Sequence, residues 1–273
     1  MKSELAMYGG PKAVSIPEPH FQWPEITPAT EQAVLRQLHA STSIYNRSGI
    51  IAELEDRLTD YFDSRFALLT NSGTSALLSL YVGAGLGAGD EVIVPAYGFH
   101  ATATPLFFTG ATPVLADCDE DGNIDPDDIP RRITSRTRAV VVSHMWGMPG
   151  QMQALKQVVD RLGLQLFEDG SHAHGARYHG VPIGAATDAS AFSMQAQKGL
   201  PAGEGGFLLT DDEEVQYRAL LLGHFNKRCR DEIPDDHALR KFDITGMGLK
   251  LRIHPLAAAI AFEQFDRLQS GHE

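Results

Sequence analysis

Short apolar runs alternate with segments of helical periodicity from Phe66 to Thr210, and this alternation limits the possible fold more than any other feature. Residues 66–70, 91–95, 113–117, 139–143, 164–168, 189–193 and 207–210 read as strands, each short and rich in Val, Leu, Ile, Phe or Ala. Residues 75–83, 99–108, 126–133, 152–162 and 213–222 read as the helices between them. Parallel strands need a crossover between them, and a helix is the usual one. The pattern therefore predicts an α/β fold, a three-layer α/β/α sandwich around a mainly parallel sheet. Ligands of such sheets sit outside the carboxyl ends of the strands, so the residues that follow each apolar run are the candidates for chemistry.

Ahead of the alternation, residues 1–26 are proline-rich, with Pro17, Pro19 and Pro24 around Phe21 and Trp23, and predict an extended arm over the body or over a partner subunit. Thr27 and Pro28 open a helix, as an N-cap and a first-turn proline. Residues 50–62 predict a second helix, with Ile51, Leu54, Leu58 and Tyr61 on one face. After the alternation, Gly248-Leu249-Lys250-Leu251-Arg252 precedes a helix that starts at Pro255.

A chain of 273 residues buries a sizeable core, and its formal net charge of −12 argues against a nucleic-acid binder, which would carry a basic stripe. Its two cysteines, Cys118 and Cys229, form neither a disulfide framework nor a metal-ligand pattern and fit a reducing compartment. Met1 to Lys12 has no apolar core segment or cleavage pattern, and no stretch approaches a membrane span. The expected location is the cytoplasm.

The strand ends carry a specific set of groups. The run 164–168 delivers Asp169, within Glu168-Asp169-Gly170-Ser171-His172-Ala173-His174-Gly175. The run 189–193 ends in Ser193, and Lys198 follows five residues on, ahead of Gly203-Glu204-Gly205-Gly206. An amine that can condense with an aldehyde, an acid that can pair with a ring nitrogen and a hydroxyl that can bind a phosphate are what a pyridoxal phosphate (PLP) site needs. Asn71-Ser72-Gly73-Thr74-Ser75 joins a strand to a helix, either as a plain helix cap or as an anion site at a helix N-terminus. It is not a P-loop, because no Gly-Lys-Ser/Thr follows. Phe99, in Pro95-Ala96-Tyr97-Gly98-Phe99-His100, either fills the core or stacks on a ligand ring. His144 reads as a packing or turn residue rather than a catalytic one, and Trp146 as a wall of the pocket. Asp169, His172 and His174 could instead ligate a metal, but that reading leaves Ser193, Lys198 and the glycine turn without roles, so no metal is expected.

In these three motifs, E-D-x-x-H-A-H-G, F-S-x-x-x-x-K and G-E-G-G, the chain resembles the DegT-type sugar and cyclitol aminotransferases, a branch of the fold type I PLP enzymes. The motifs stand in the family's order, and the resemblance runs from about Ala6 to Leu268. It implies a PLP-dependent transaminase that moves an amino group from glutamate or glutamine to a nucleotide-linked keto sugar or a keto cyclitol, in amino-sugar or antibiotic biosynthesis. Lys198 and Asp169 are then the catalytic residues. Gly73, Thr74, Phe99, Asp169, His172, Ser193 and Lys198 bind the cofactor: Gly73 and Thr74 in the phosphate cup, Phe99 on the ring face, His172 near the phenolic oxygen. His174 is structural, Glu204 holds the glycine turn, and the loop 43–49 lies at the surface or near the substrate entrance. Lysine at 198 favours transamination over dehydration, since related dehydratases carry His there.

By the same resemblance the active unit is a homodimer with shared sites, Lys250 or Arg252 reaching the partner's cofactor phosphate. The family more often shows Asn where Lys250 stands. The chain divides into an arm (1–26), a PLP-binding large domain (27–245) and the start of a C-terminal region (246–273). Family members continue into a smaller C-terminal domain that closes over the substrate, so the sequence given reads as a fragment or a short form. Two rival readings stay open: a catalytically weak PLP-binding partner or regulatory subunit, and an aromatic-amine synthase of the same family.

Overall fold

The structure is a computed structural model, and it describes residues 5–12 and 23–270. Most of the expected arm, including Pro17, Pro19 and Phe21, lies outside the described residues. In chain order the elements are α1 (Pro28–Ala40), α2 (Gly49–Phe62), β1 (Phe66–Thr70), α3 (Gly73–Gly83), β2 (Glu91–Pro95), α4 (Thr104–Thr109), β3 (Thr112–Ala116), α5 (Ile129–Arg132), β4 (Thr137–Ser143) and α6 (Met152–Leu162). They continue with β5 (Gln165–Asp169), β6 (Arg177–Tyr178), β7 (Val181–Pro182), β8 (Ala189–Ser193), β9 (Gly206–Thr210), α7 (Glu213–Gly223), α8 (Lys227–Glu232) and α9 (Pro255–Ser270).

Seven strands form one sheet in the order β1-β9-β8-β5-β4-β2-β3. The pairs β2–β3, β2–β4, β4–β5 and β5–β8 are parallel, while β9 runs antiparallel to both β8 and β1. The reversal of β9 has a direct consequence for the site. Its first residue, Gly206, is in register with the last residues of its two neighbours, Ser193 and Thr70. The ends of β1, β5 and β8 and the start of β9 thus share one edge of the sheet.

Side-chain alternation divides the core into layers. Val92 and Val94 pack with Leu77 and Leu80 of α3 and with Ala219 and Leu220 of α7. Ile93, between them, packs on the opposite face with Leu155 and Val159 of α6. Toward the β1 edge, Leu69, Phe207 and Leu209 meet Leu54 and Leu58 of α2 and Ala258, Ala261 and Phe265 of α9. Helices therefore cover both faces, as the alternation of apolar runs predicts. Gly83 is needed where α3 meets α7, because a Cβ there would lie 2.7 Å from the Val215 carbonyl oxygen.

Local chemistry explains the boundaries. Thr27 caps α1 by accepting a hydrogen bond from the Thr30 amide (3.2 Å). In α2, Ile51, Leu54 and Leu58 are buried as the periodicity predicts, whereas Tyr61 sits at the edge of that face against Phe265. The helix expected over 99–108 is broken into a 3-10 turn (His100–Thr102) and α4, because Pro105 has no amide hydrogen to continue an earlier helix. The helix expected over 126–133 shrinks to α5, since the Asp128 carboxylate is spent on the Asp117 amide (2.9 Å) and Arg132 rather than on a longer helix. Three elements escape the sequence reading. The hairpin β6–β7 turns at His179 and Gly180, both at positive φ, and α8 is only six residues long.

Among the described residues no helix is long and apolar enough to cross a membrane.

Candidate active site

A cleft of about 500 Å³ opens at the shared edge of the sheet, and Gly73, Thr74, Phe99, Asp169, His172, Ser193 and Lys198 all line it. These side chains come from four separate strand ends and the segments after them, so only the sheet brings them together.

One wall is the N-terminus of α3. Ser72 caps the helix by accepting from the Ser75 amide (3.1 Å), which leaves the amides of Gly73 and Thr74 without helical partners. Their partial positive charge, with that of the helix dipole, suits an anion. Ser193, at the end of β8, stands against this turn. Its hydroxyl oxygen accepts from the Gln195 amide (3.3 Å), and its own proton is left to donate into the cleft. The fit is tight: a Cβ on Gly73 would lie 2.5 Å from Ser193 Cβ, and one on Gly206 would lie 2.5 Å from the Ser72 carbonyl oxygen. Both glycines are required by close approach of backbone.

Asp169 ends β5 and is 7% exposed. One carboxylate oxygen accepts from the Thr102 hydroxyl (2.6 Å) and the other from the Ser171 amide (3.2 Å). Thr102 and Ser143 are further linked by a hydroxyl pair at 3.2 Å. Sequence reading passed over Thr102 and Ser143, because a Thr in a helical stretch and a Ser at a strand end give no signal until the sheet is assembled.

Lys198 is half-buried on the loop after β8, in a turn closed by its amide to the Gln195 carbonyl (2.8 Å). The Trp23 indole donates to the Lys198 carbonyl (3.2 Å), which fastens the end of the arm to the site. Burial lowers the ammonium's pKa from its ordinary value, against the opposing pull of the Asp169 charge. His172 is lowered as well, by burial first and then by the Lys198 charge, so its ring is held neutral. It lies beside Trp146, with ring centroids 6.3 Å apart. Phe99 projects into the cleft and is 58% exposed, so it does not fill the core.

Other residues fall elsewhere. Trp146 is 71% exposed and does not line the cleft, contrary to the sequence reading; its positive φ turns it outward over His172. His144 borders the cleft but is fully engaged: Nδ1 accepts from the Gly150 amide (3.0 Å) and Nε2 donates to Glu168 (2.9 Å). Glu168 is fully buried and also accepts from the Gly184 amide and the Thr187 hydroxyl, so the pair locks the end of β5 to the loop before β8. His174 is buried edge-on against the stacked rings of Phe192 and Phe207. The glycine turn is held by its backbone, with Met194 and Ala196 amides donating to the Gly205 and Gly203 carbonyls; Glu204 is exposed and lines the cleft. Lys250 and Arg252 lie outside the cleft, in a second cavity of about 300 Å³ with Tyr45, His224 and Lys227. No group of His, Cys, Asp and Glu among the described residues is arranged to hold a metal ion.

Residues 25–273 match the sequence model of the DegT/DnrJ/EryC1/StrS aminotransferase family. The chain belongs to that family. The family is PLP-dependent, and the amine, acid and anion cradle of the cleft fit that cofactor. Within this aminotransferase family the chain is 34% identical to the L-glutamine:2-deoxy-scyllo-inosose aminotransferase of Streptomyces fradiae, over 98% of this chain and 64% of the relative. Among solved structures it is similar to DesI in the presence of its TDP-sugar product, at a TM-score of 0.81 and 33% identity, over 98% of this chain and 65% of that one. It is also similar to Spr1654 from Streptococcus pneumoniae in its PLP form, at a TM-score of 0.76 and 26% identity, over 93% of this chain and 67% of that one. The chain spans 57% and 64% of the length of two curated relatives.

Proposed function

We propose that this chain forms the cofactor-bearing part of a PLP-dependent aminotransferase that moves an amino group from glutamate or glutamine to a nucleotide-linked keto sugar or a keto cyclitol. The observation that carries the reading is the convergence of Asp169, Ser193, Lys198 and the N-terminus of α3 on one cleft. Similarity to a 2-deoxy-scyllo-inosose aminotransferase and to a protein solved with its TDP-sugar product supports the substrate class. The proposal keeps the division into an arm (1–26), a cofactor-binding body (27–245) and the start of a C-terminal region (246–273). In that last part, α9 is fastened to the body through Ala258, Ala261 and Phe265.

Bound in the cleft, PLP would supply an electron sink for the substrate carbon and a carrier for the amino group. The chain supplies the rest. The Gly73 and Thr74 amides and the Ser193 hydroxyl would hold the phosphate. Phe99 would cover one face of the ring. The Asp169 carboxylate would accept a hydrogen bond from the ring nitrogen and keep a proton there. His172, held neutral, would stand beside the phenolic oxygen. Lys198 would hold the cofactor covalently at rest. Once released, its Nζ moves a proton on and off the substrate carbon, a role helped by the lowered proton affinity that burial gives it.

The proposed working unit is a cytoplasmic homodimer, in which Lys250 or Arg252 is offered to the partner's cofactor phosphate. Their cavity also contains Lys227, a cationic surface suited to a phosphate. An absorbance spectrum of the purified chain with PLP, taken before and after glutamate or glutamine, tests the activity. A bound chromophore that either donor converts supports it, and binding without conversion overturns it. Sedimentation at several concentrations, with PLP absorbance recorded in parallel, tests the shared site. A monomer of full cofactor affinity would refute it.

A further inference from the structure

The PLP reading gives Asp169 a task but does not say what holds its carboxylate in place. Besides the Ser171 amide, three buried residues, Tyr81, Thr102 and Ser143, do so in sequence. The Tyr81 phenol donates to the Thr102 backbone carbonyl at 2.6 Å, and the Thr102 amide closes a turn on the Phe99 carbonyl at 3.0 Å. The backbone of Thr102 is thereby fixed from two sides. Its side chain then has one orientation left to serve, with Asp169 Oδ2 at 2.6 Å and Ser143 Oγ at 3.2 Å.

A hydroxyl carries a single proton, and an ionised carboxylate can only accept. The proton of Thr102 is therefore directed to Asp169, and Ser143 donates to Thr102 behind it. The bond is charge-assisted, and its short length agrees with that class. The far end of the chain is equally fixed. Burial, reinforced by the Asp169 charge, holds the Tyr81 phenol well above its ordinary pKa, so Tyr81 remains a donor. The same Thr102 turn carries Phe99, which enters the cleft from another side.

We infer that Thr102 is a positioning residue of the active site: its hydroxyl orients the Asp169 carboxylate toward the cofactor ring nitrogen while its backbone sets the turn that presents Phe99. The inference rests on the PLP reading and adds to it a residue that borders the cleft and acts through Asp169. It separates two functions within one residue. The hydroxyl serves Asp169, and the backbone serves Phe99, so only the first is removed by a side-chain change.

The test measures PLP affinity of the full chain by quenching of tryptophan fluorescence, together with transamination kinetics, for wild type, Thr102→Val and Thr102→Ser. Valine keeps the shape and removes the hydroxyl, and serine keeps the hydroxyl and removes the methyl group. Thr102→Val should bind PLP about 10-fold more weakly and lose about 10- to 100-fold in kcat, with the KM for the amino donor within about twofold of wild type. Thr102→Ser should stay within about threefold of wild type in both measurements. Where the valine chain does not fold, Thr102→Ala gives the same comparison against serine. Wild-type affinity and kcat in the hydroxyl-free variants overturn the inference, as does a serine variant as impaired as valine. Failure of the wild-type chain to bind PLP overturns the underlying reading instead, so the two failures are distinguishable.

Discussion

Gly73 and Ser193 meet so closely that a single carbon added to Gly73 would lie 2.5 Å from Ser193 Cβ and 2.8 Å from its Cα. The contact joins the start of α3 to the end of β8 and leaves no slack in the proposed phosphate cup. Gly73→Ala should force these elements apart, lower the melting temperature and weaken PLP binding by at least about 10-fold, since overpacking of this kind costs about 1–3 kcal/mol. Differential scanning calorimetry and a PLP titration of the same variant check it. Unchanged affinity would show that the cup lies elsewhere.

Lys198 should carry the cofactor. Borohydride reduction of the PLP-loaded chain, followed by peptide mapping, should place the pyridoxyl label on Lys198, and a label on any other lysine refutes the assignment. Burial holds this amine below the ordinary lysine value of 10.5. Raising the pH deprotonates it, and only the neutral amine attacks the aldehyde. The rate of PLP attachment to the cofactor-free chain should therefore rise with pH and reach half its maximum below pH 10.5. A midpoint at or above the free-lysine value contradicts this environment.

Asp169→Asn should still bind PLP, no more tightly than Thr102→Val does, but lose at least about 100-fold in turnover, because the amide no longer holds a proton on the ring nitrogen. Steady-state kinetics with either donor, set beside a binding titration, separates the two effects. Turnover near the wild-type rate would remove Asp169 from the mechanism.

His174 should make the fold acid-sensitive. Burial, followed by the Lys198 charge, pushes it from 6.5 down to about 3. As pH falls below 6.5 the unfolded chain takes up a proton that the folded chain refuses, so stability is lost from 6.5 down toward about 3. The slope is about 1.4 kcal/mol per pH unit for one such group. His224, lowered for the same main reason, adds to it. Urea denaturation at a series of pH values should show His174→Leu losing less stability than wild type on acidification. Parallel curves would mean that His174 titrates normally.

Glu55 should be costly to remove. It is fully buried and receives both terminal nitrogens of the Arg228 guanidinium, at 2.9 and 2.8 Å, and the Leu69 amide at 3.0 Å. Glu55→Ala leaves the buried Arg228 guanidinium with Glu232 as its remaining acidic partner and should destabilise the chain by up to about 3 kcal/mol, with Glu55→Gln costing less. Chemical denaturation measures both, and a loss below about 1 kcal/mol for alanine would show that Glu232 alone satisfies Arg228.

The chain order alone determined the layer architecture. Seven apolar runs of strand length, each followed by a turn and most separated by helical stretches, have few ways to bury themselves except as a sheet covered on both faces. The cofactor-site candidates were legible for a related reason. In such a sheet the strand ends face one edge, so Asp169, Ser193 and the Asn71–Ser75 turn were marked as neighbours by position alone, and the motif order added Lys198 and His172. What the sequence left open depends on contacts between segments far apart in the chain. Whether Phe99 fills the core or enters the cleft was settled only by the fold, which leaves it in extended backbone ahead of the 3-10 turn and exposed to the cleft. Trp146 was misread because a positive φ at one residue redirected it, and apolar periodicity carries no information about such a turn. Thr102, Ser143 and Tyr81 are ordinary in sequence. They acquire a shared task only when α3, β4 and β5 are packed together, because a hydrogen bond needs two groups within about 3 Å, and spacing along the chain does not encode that distance.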